Sequence, residues 1–295
     1  MIRVAAVDLG TNSTRLLVAD VEDDRVDEVV RRTIVTRLGE GVDRRRRLLP
    51  VPVARVRNAL TDFRRELESL GAERTLAVAT SAVRDAENGE AFLGEVEWSY
   101  GFATRLLSGD DEAALTLRGV GALDEGTLVL DVGGGSTELI TRTSRTSLDI
   151  GSVRLTERHL HGDPPSAAEL ADAAAAVQEL LPGIGAREAI GVAGTVGQLA
   201  LLAGSEHLAR ETVDDLLQRL AGMTAAQRRT VPGLDPGRAD VIVGGAIVVL
   251  EVLRRYDLDA LHFSVRDLLD GAALEAAALL EPVEGAAPPG AYTCC

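Results

Sequence analysis

Apolar residues in this chain fall into two patterns. Some form short runs that stop at an acid or a glycine, and others recur at helical spacing over longer stretches. RVAAVDL (3–9) and LVLDV (128–132) are runs of the first kind and read as buried strands. Residues 26–38, Leu76–Ala79, part of 95–107, and 145–151 read as further strands. From Val53 to Leu70 the apolar positions Val53, Val56, Ala59, Leu60, Phe63, Leu67 and Leu70 mark an amphipathic helix that Gly71 ends. Residues 166–181 and 212–221 read as helices, and about 238–255 as a long buried one. EAIGVAGTVGQLALLA reads as a strand turning into a helix, and ALHFSVRDLLDGAALEAAALL as a strand leading into the last helix. Strands alternating with helices predict an α/β chain.

Two of the strand ends repeat one pattern. Asp8, Gly10, Ser13, Thr14 and Leu16 fall in the same frame as Asp131, Gly133, Ser136, Thr137 and Leu139, about 120 residues on. The shared D-x-G-x-x-S-T-x-L predicts two strand–turn–strand hairpins, hence two similar domains facing a cleft. Glycine lets backbone N–H groups approach an anion closely, and the hydroxyls add donors. Asp131 and Glu138 would repel a bare phosphate, so they make sense if a hard cation stands between them and it.

Composition narrows the chemistry. All 31 basic residues are Arg, which excludes a P-loop or Schiff-base lysine. A net charge of −15 argues against broad nucleic-acid or membrane-surface binding, so any phosphate site must be locally positive. The two Cys, Cys294 and Cys295, offer no disulfide framework and no zinc site. With no signal-peptide pattern and no obvious membrane span, the chain is expected to be cytoplasmic.

Other groups carry chemistry less specifically. Arg84 is expected in the first turn of a helix capped by Thr80 or Ser81, where a cation opposes the helix dipole and points to a ligand. Ser108 and Asp111 fit a capping box, which accounts for the acids at 110–112 without making Glu112 catalytic. Gly191, Gly194 and Thr195 form a turn that aims amides and a hydroxyl at a ligand. Arg44–Arg47 reads as a solvated loop, and His159 and His161 as surface or helix-end residues.

The stretches VDLGTNSTRLL, RLGEGVD, ATSAVRDAENGEAF, LLSGDDEA, LVLDVGGGSTELI, GVAGT and GRADVIVGGAIVVL together resemble the exopolyphosphatase/guanosine pentaphosphate phosphatase family. That resemblance spans nearly the whole chain. It implies the short form of the family, with two actin-like (ribonuclease H-like) domains built on mixed sheets flanked by helices. The expected division is 1–122 and 123–281, with the last helix able to pack back on the first domain, then a disordered tail at 282–295.

The resemblance also implies roles. Glu112 would be the general base, and Asp131 and Glu138 would bind or orient a divalent metal with help from Asp8. Gly10, Thr11, Asn12, Ser13, Arg84, Gly133, Gly134, Gly135, Ser136 and Thr137 would hold phosphate, joined by the Gly194–Thr195 turn. The implied cofactor is Mg²⁺, with Mn²⁺ as the alternative. The implied substrate is inorganic polyphosphate, with guanosine penta- or tetraphosphate as the alternative, and the implied assembly is a homodimer. One departure stands out: DLLDG puts Leu269 where many members carry arginine. Two other classes share the fold or the ligand, namely an actin-fold ATP-dependent kinase and a non-catalytic polyphosphate or alarmone sensor.

Overall fold

The computed structural model describes residues 1–279. The tail expected at 282–295, with Cys294 and Cys295, lies outside the described residues. The described residues divide into two compact units, Met1–Gly119 together with 268–279, and Val120–Asp267. By its contacts the last helix is therefore part of the first unit.

In chain order the first unit contains β1 (Ile2–Leu9), β2 (Ser13–Glu22), β3 (Arg25–Val35), α1 (Val42–Arg45), α2 (Pro50–Ser69), β4 (Arg74–Ala79), α3 (Ser81–Arg84), α4 (Gly89–Tyr100), β5 (Ala103–Leu106) and α5 (Gly109–Val120). The second contains β6 (Thr127–Val132), β7 (Thr137–Ile140), β8 (Arg145–Leu148), α6 (Ser152–His159), α7 (Ala167–Leu180), β9 (Glu188–Val192), α8 (Ala193–Ala203), β10 (His207–Ala209), α9 (Arg210–Ala221), α10 (Ala225–Arg228), α11 (Ile242–Arg255) and β11 (Ala260–Phe263). Helix α12 (Leu268–Ala278) returns to the first unit.

The first sheet has the order β3-β2-β1-β4-β5 and the second β10-β11-β9-β6-β7-β8. In each, a three-stranded antiparallel meander continues into parallel strands on the far side of its first strand. The repeat seen in the sequence is thus a repeat of topology, and the mixed α/β class with two helix-flanked sheets holds.

Period-two burial divides the first sheet into two apolar faces. Val4, Ala6, Leu17 and Val78 pack with Leu268, Leu269, Ala272 and Ala276 of α12. Ala5, Val7, Leu16 and Ala77 pack with Val56, Leu60 and Phe63 of α2. Leu269 is completely buried there. The residue that departs from the family pattern is core, where an unpaired arginine would be costly. In the second unit α11 is apolar almost all round and is enclosed along Ile242–Leu253. Its glycine pair has a packing cause: a Cβ on Gly245 would stand 2.5 Å from Thr195 Cγ2, and one on Gly244 would stand 2.8 Å from the Ser152 carbonyl oxygen.

Candidate active site

Parallel strands release their following loops at one edge of a sheet, where ligands of α/β proteins usually bind. In the first unit β1, β4 and β5 run parallel, with Leu9 beside Ala79 and Ala79 beside Leu106. The 10–12 turn, the short helix α3 and the loop into α5 therefore leave from one edge. In the second unit Asp131 pairs with Val192 and Phe263 with Gly191, so the glycine turn, the 193–195 turn and the loop after β11 share an edge in the same way.

The two hairpin turns have the same geometry. Gly10 N–H donates to the Ser13 carbonyl at 3.1 Å, and Gly133 N–H donates to the Ser136 carbonyl at 3.0 Å. Neither glycine has positive φ. What each supplies is close approach, because a Cβ would lie 2.9 Å (Gly10) or 3.1 Å (Gly133) from that serine carbonyl. The next two N–H groups of each turn, Thr11 and Asn12 or Gly134 and Gly135, make no hydrogen bond to the described residues. Buried N–H groups are rarely left without an acceptor, so the paired amides suit an anion's oxygens. The Asn12 side-chain Nδ2 is likewise buried without a partner.

The threonines after the turns face inward, and Thr137 departs from expectation. Thr137 Oγ1 donates to the Ile150 carbonyl at 2.6 Å, and Thr14 shares a 2.9 Å hydrogen bond with the Thr36 hydroxyl. Both are fully buried. A hydroxyl carries one proton, so Thr137 holds the hairpin to its own unit and is not a phosphate donor.

The acids also separate the hairpins. Asp8 lies opposite Arg15 in register and receives its Nε hydrogen bond at 2.8 Å. Asp131 lies opposite Glu138, both are buried, and Glu138 accepts from the Ser147 hydroxyl at 2.9 Å. The first hairpin sets its acid against Arg15, and the second sets two carboxylates opposite each other in register. Among the described residues no group of three or more His, Cys, Asp or Glu could hold a metal ion. Two hard oxygen donors still fit Mg²⁺, which is commonly held by one or two carboxylates plus substrate phosphate and water.

Glu112 lies in the first turn of α5 and is buried. The capping box is real: Asp111 N–H donates to Ser108 Oγ at 3.1 Å, and Asp111 Oδ2 accepts from Ser108 N–H at 3.0 Å. Those Ser108 bonds, side chain first, hold the Asp111 carboxyl below its ordinary range. Arg84 is the last residue of the one-turn helix α3, since the chain leaves the helix at Asp85. It therefore does not oppose a dipole, as the sequence suggested. Its guanidinium donates to the Leu107 carbonyl at 2.8 Å and to the Glu112 carboxylate. Ser81, read as a cap, instead shares a 3.0 Å hydrogen bond with the Thr11 hydroxyl, and Thr80 makes no side-chain cap bond.

Three further groups were not legible beforehand. The N-terminus of α6 is occupied by the glycine turn itself: Ser152 N–H donates to the Gly133 carbonyl at 2.9 Å and Val153 N–H to the Gly134 carbonyl at 2.8 Å. Arg238 lies over the 193–195 turn, where a Cβ on Gly194 would meet its guanidinium nitrogen at 2.2 Å. Ala193 there holds φ +63°, a conformation costly for a residue with a Cβ. Thr195 beside it is buried. His159 instead pairs with Asp172 at 2.7 Å, and His161 is exposed, as expected for a surface stretch.

The Ppx/GppA phosphatase family model matches residues 17–278. The chain belongs to the Ppx/GppA phosphatase family. It is 43% identical to Exopolyphosphatase 2 of Mycobacterium tuberculosis, over 93% of this chain and 98% of that protein. Among solved structures, an exopolyphosphatase-like protein superposes with a TM-score of 0.86 at 35% identity, covering 93% of this chain and 97% of that one. An exopolyphosphatase from Cytophaga hutchinsonii superposes with a TM-score of 0.83 at 25% identity, covering 91% and 96%. No helix among the described residues is long and apolar enough to cross a membrane.

Proposed function

We propose that this chain is an exopolyphosphatase, releasing terminal orthophosphate from inorganic polyphosphate by hydrolysis. The observation that carries the reading is the matched pair of turns, each with two N–H groups in want of an acceptor. Each turn suits phosphate oxygens, and a polyphosphate chain is a run of them. The relative named exopolyphosphatase, similar over almost its whole length, supports the same substrate class.

In this reading Glu112 takes a proton from the attacking water while Arg84 holds its carboxylate in place. Water oxygen bonds to the terminal phosphorus, and the bridging P–O bond breaks toward the shortened chain. The leaving group is a phosphate oxygen of low basicity, so no dedicated acid is needed. The amides of Thr11, Asn12, Gly134 and Gly135, with Ser13, Ser136 and the Gly194–Thr195 turn, hold non-bridging oxygens, where transition-state charge gathers. Asp131 and Glu138 would hold Mg²⁺, which supplies further neutralisation of those oxygens when bound. Asp8 is tied to Arg15 and steadies the first turn.

Orthophosphate release from polyphosphate and from guanosine pentaphosphate, measured in parallel with Mg²⁺, tests this. Release from polyphosphate at the higher kcat/KM supports it. Faster release from the nucleotide reassigns the chain to the pentaphosphate reaction. Phosphoryl transfer that requires an acceptor hydroxyl makes it a kinase, and binding without turnover makes it a sensor.

A further inference from the structure

The four arginines at 44–47 are consecutive, exposed and free of any ion pair among the described residues. That is unusual here, because most arginines of this acidic chain have a carboxylate within reach. Arg3, Arg15, Arg32, Arg57, Arg84 and Arg105 are all paired in the same unit.

The run is not a loose loop. Val42 before it and Leu48 after it are buried. Arg45 N–H donates to the Gly41 carbonyl at 3.0 Å and Arg46 N–H to the Val42 carbonyl at 2.8 Å. The Asn88 side chain clasps Leu48 twice, accepting from its N–H at 2.8 Å and donating to its carbonyl at 3.1 Å. Four cations are thereby presented on a fixed backbone.

Its anchors lie next to the candidate phosphate groups. On one side Gly39 N–H donates to the Thr11 carbonyl at 2.8 Å, so tightly that a Cβ on Gly39 would stand 2.2 Å from Thr11 Cγ2. Val42 N–H then donates to the Gly39 carbonyl at 3.0 Å. On the other side Glu87 N–H, three residues after Arg84, donates to the Arg46 carbonyl at 2.8 Å. The arginine run thus spans from the first phosphate turn to the segment that follows Arg84. Of the acids around the run, Glu40 is paired with Arg55, which leaves Asp43 in the chain and Glu87, bonded through its backbone to Arg46, against four arginines, so the patch keeps a net positive charge.

We infer that Arg44–Arg47 form a landing strip for the distal phosphates of a long polyphosphate chain, which would favour long chains over short ones. The inference rests on the proposed polyphosphate reaction. Guanidinium groups bind phosphate oxygens in pairs, and exposed contacts of this kind are weakened by salt. A triphosphate held at the turn would be too short to use every cation, whereas a longer chain would engage them in succession.

The test is the triple variant R44Q/R45Q/R47Q, which leaves Arg46 in its left-handed conformation untouched. Orthophosphate release is measured on tripolyphosphate and on long-chain polyphosphate at two salt concentrations. The expected result is a rise of about tenfold or more in KM for the long chain, with kcat and the tripolyphosphate KM within about twofold of wild type. The long-chain KM of the variant should also respond less to salt. An equal change for both lengths, or no change for either, overturns the inference. Calorimetric binding of long-chain polyphosphate to both proteins keeps the two readings apart. If wild type hydrolyses neither polymer, the function is wrong, yet weaker binding by the variant still upholds the patch, and equal binding rejects it.

Discussion

The Arg84 guanidinium donates to the Glu112 carboxylate and, through the same nitrogen, to the Leu107 carbonyl. The pair joins a one-turn helix after β4 to the first turn of the helix after β5. Glu112 is almost fully enclosed and Arg84 is about three-quarters enclosed, with side-chain exposures of 6% and 24%. Removing one partner of such a pair leaves the other charge poorly solvated. Arg84→Ala should therefore cost stability as well as turnover, by about 2–4 kcal/mol in chemical unfolding. Glu112→Gln keeps the shape and the acceptor oxygen, and should lower kcat about 10²–10⁴-fold with a smaller change in melting temperature. Equal kcat in wild type and Glu112→Gln would remove Glu112 as the base.

Asp131 and Glu138 face each other across β6 and β7, and like charges opposed in a sheet are unfavourable. A cation that binds both should relieve this. Mg²⁺ is expected to raise the melting temperature of wild type, following the usual linkage of ligand to stability. Asp131→Asn and Glu138→Gln should each abolish that rise. Differential scanning fluorimetry with and without Mg²⁺ reads this with no substrate present. Asp8→Asn should leave the Mg²⁺ response intact, since Asp8 is already held by Arg15.

Much of this was legible in the sequence because it rests on periodicity and on repeated glycines. The D-x-G-x-x-S-T frame predicted two hairpins, and their turns close on the same Gly-to-Ser hydrogen bond. The helix over 53–70 and the Ser108–Asp111 cap also follow from local chemistry. Features set by distant partners were not legible. Thr137 looks like a phosphate donor until the Ile150 carbonyl is seen beside it. Arg84 looks like a misplaced helix cation until α3 proves to be a single turn. Helix α6 has only eight residues, too few for its apolar spacing to stand out. Arg238 lies 44 positions after Gly194, so only folding brings the guanidinium over that turn.

A pH effect is expected away from these groups. Glu169 closes a capping box at the start of α7, accepting from Ser166 N–H at 2.7 Å and Ser166 Oγ at 2.8 Å. It also accepts from Gly162 N–H at 2.8 Å and His161 N–H at 3.0 Å. The Ser166 backbone bond leads in lowering its carboxyl to about 2. A carboxyl whose folded value is depressed stabilises fully above its unfolded value of about 4.5 and loses that contribution as pH falls toward 2. The melting temperatures of wild type and Glu169→Ala should differ by a constant amount above about pH 5 and converge as acid is added below about pH 4. A difference that stays constant down to about pH 2 would mean that the carboxylate charge contributes nothing at this cap.

The position of Glu112 depends on a helix from the far end of the described chain. Gly271 of α12 lies so close to α5 that a Cβ would stand 2.0 Å from the Leu115 carbonyl oxygen. Leu115 is three residues after Glu112, about one helical turn along α5. Backbone cannot rotate out of the way as a side chain can, so Gly271→Ala must push α5 and α12 apart. Both helices pack on the same apolar face of the first sheet, through Leu115, Leu268 and Leu269. The variant is expected to lose about 1–3 kcal/mol of stability from overpacking. It should also lose kcat beyond what that loss explains, because a shift of a fraction of an ångström at the base is costly. Val56→Ala, on the opposite face of the sheet, is the control. It should cost similar stability by leaving a cavity, with kcat little changed. Steady-state kinetics on both variants, well below their melting temperatures, decides the matter. If Gly271→Ala retains wild-type kcat, the α5–α12 contact holds the fold together but does not set the base.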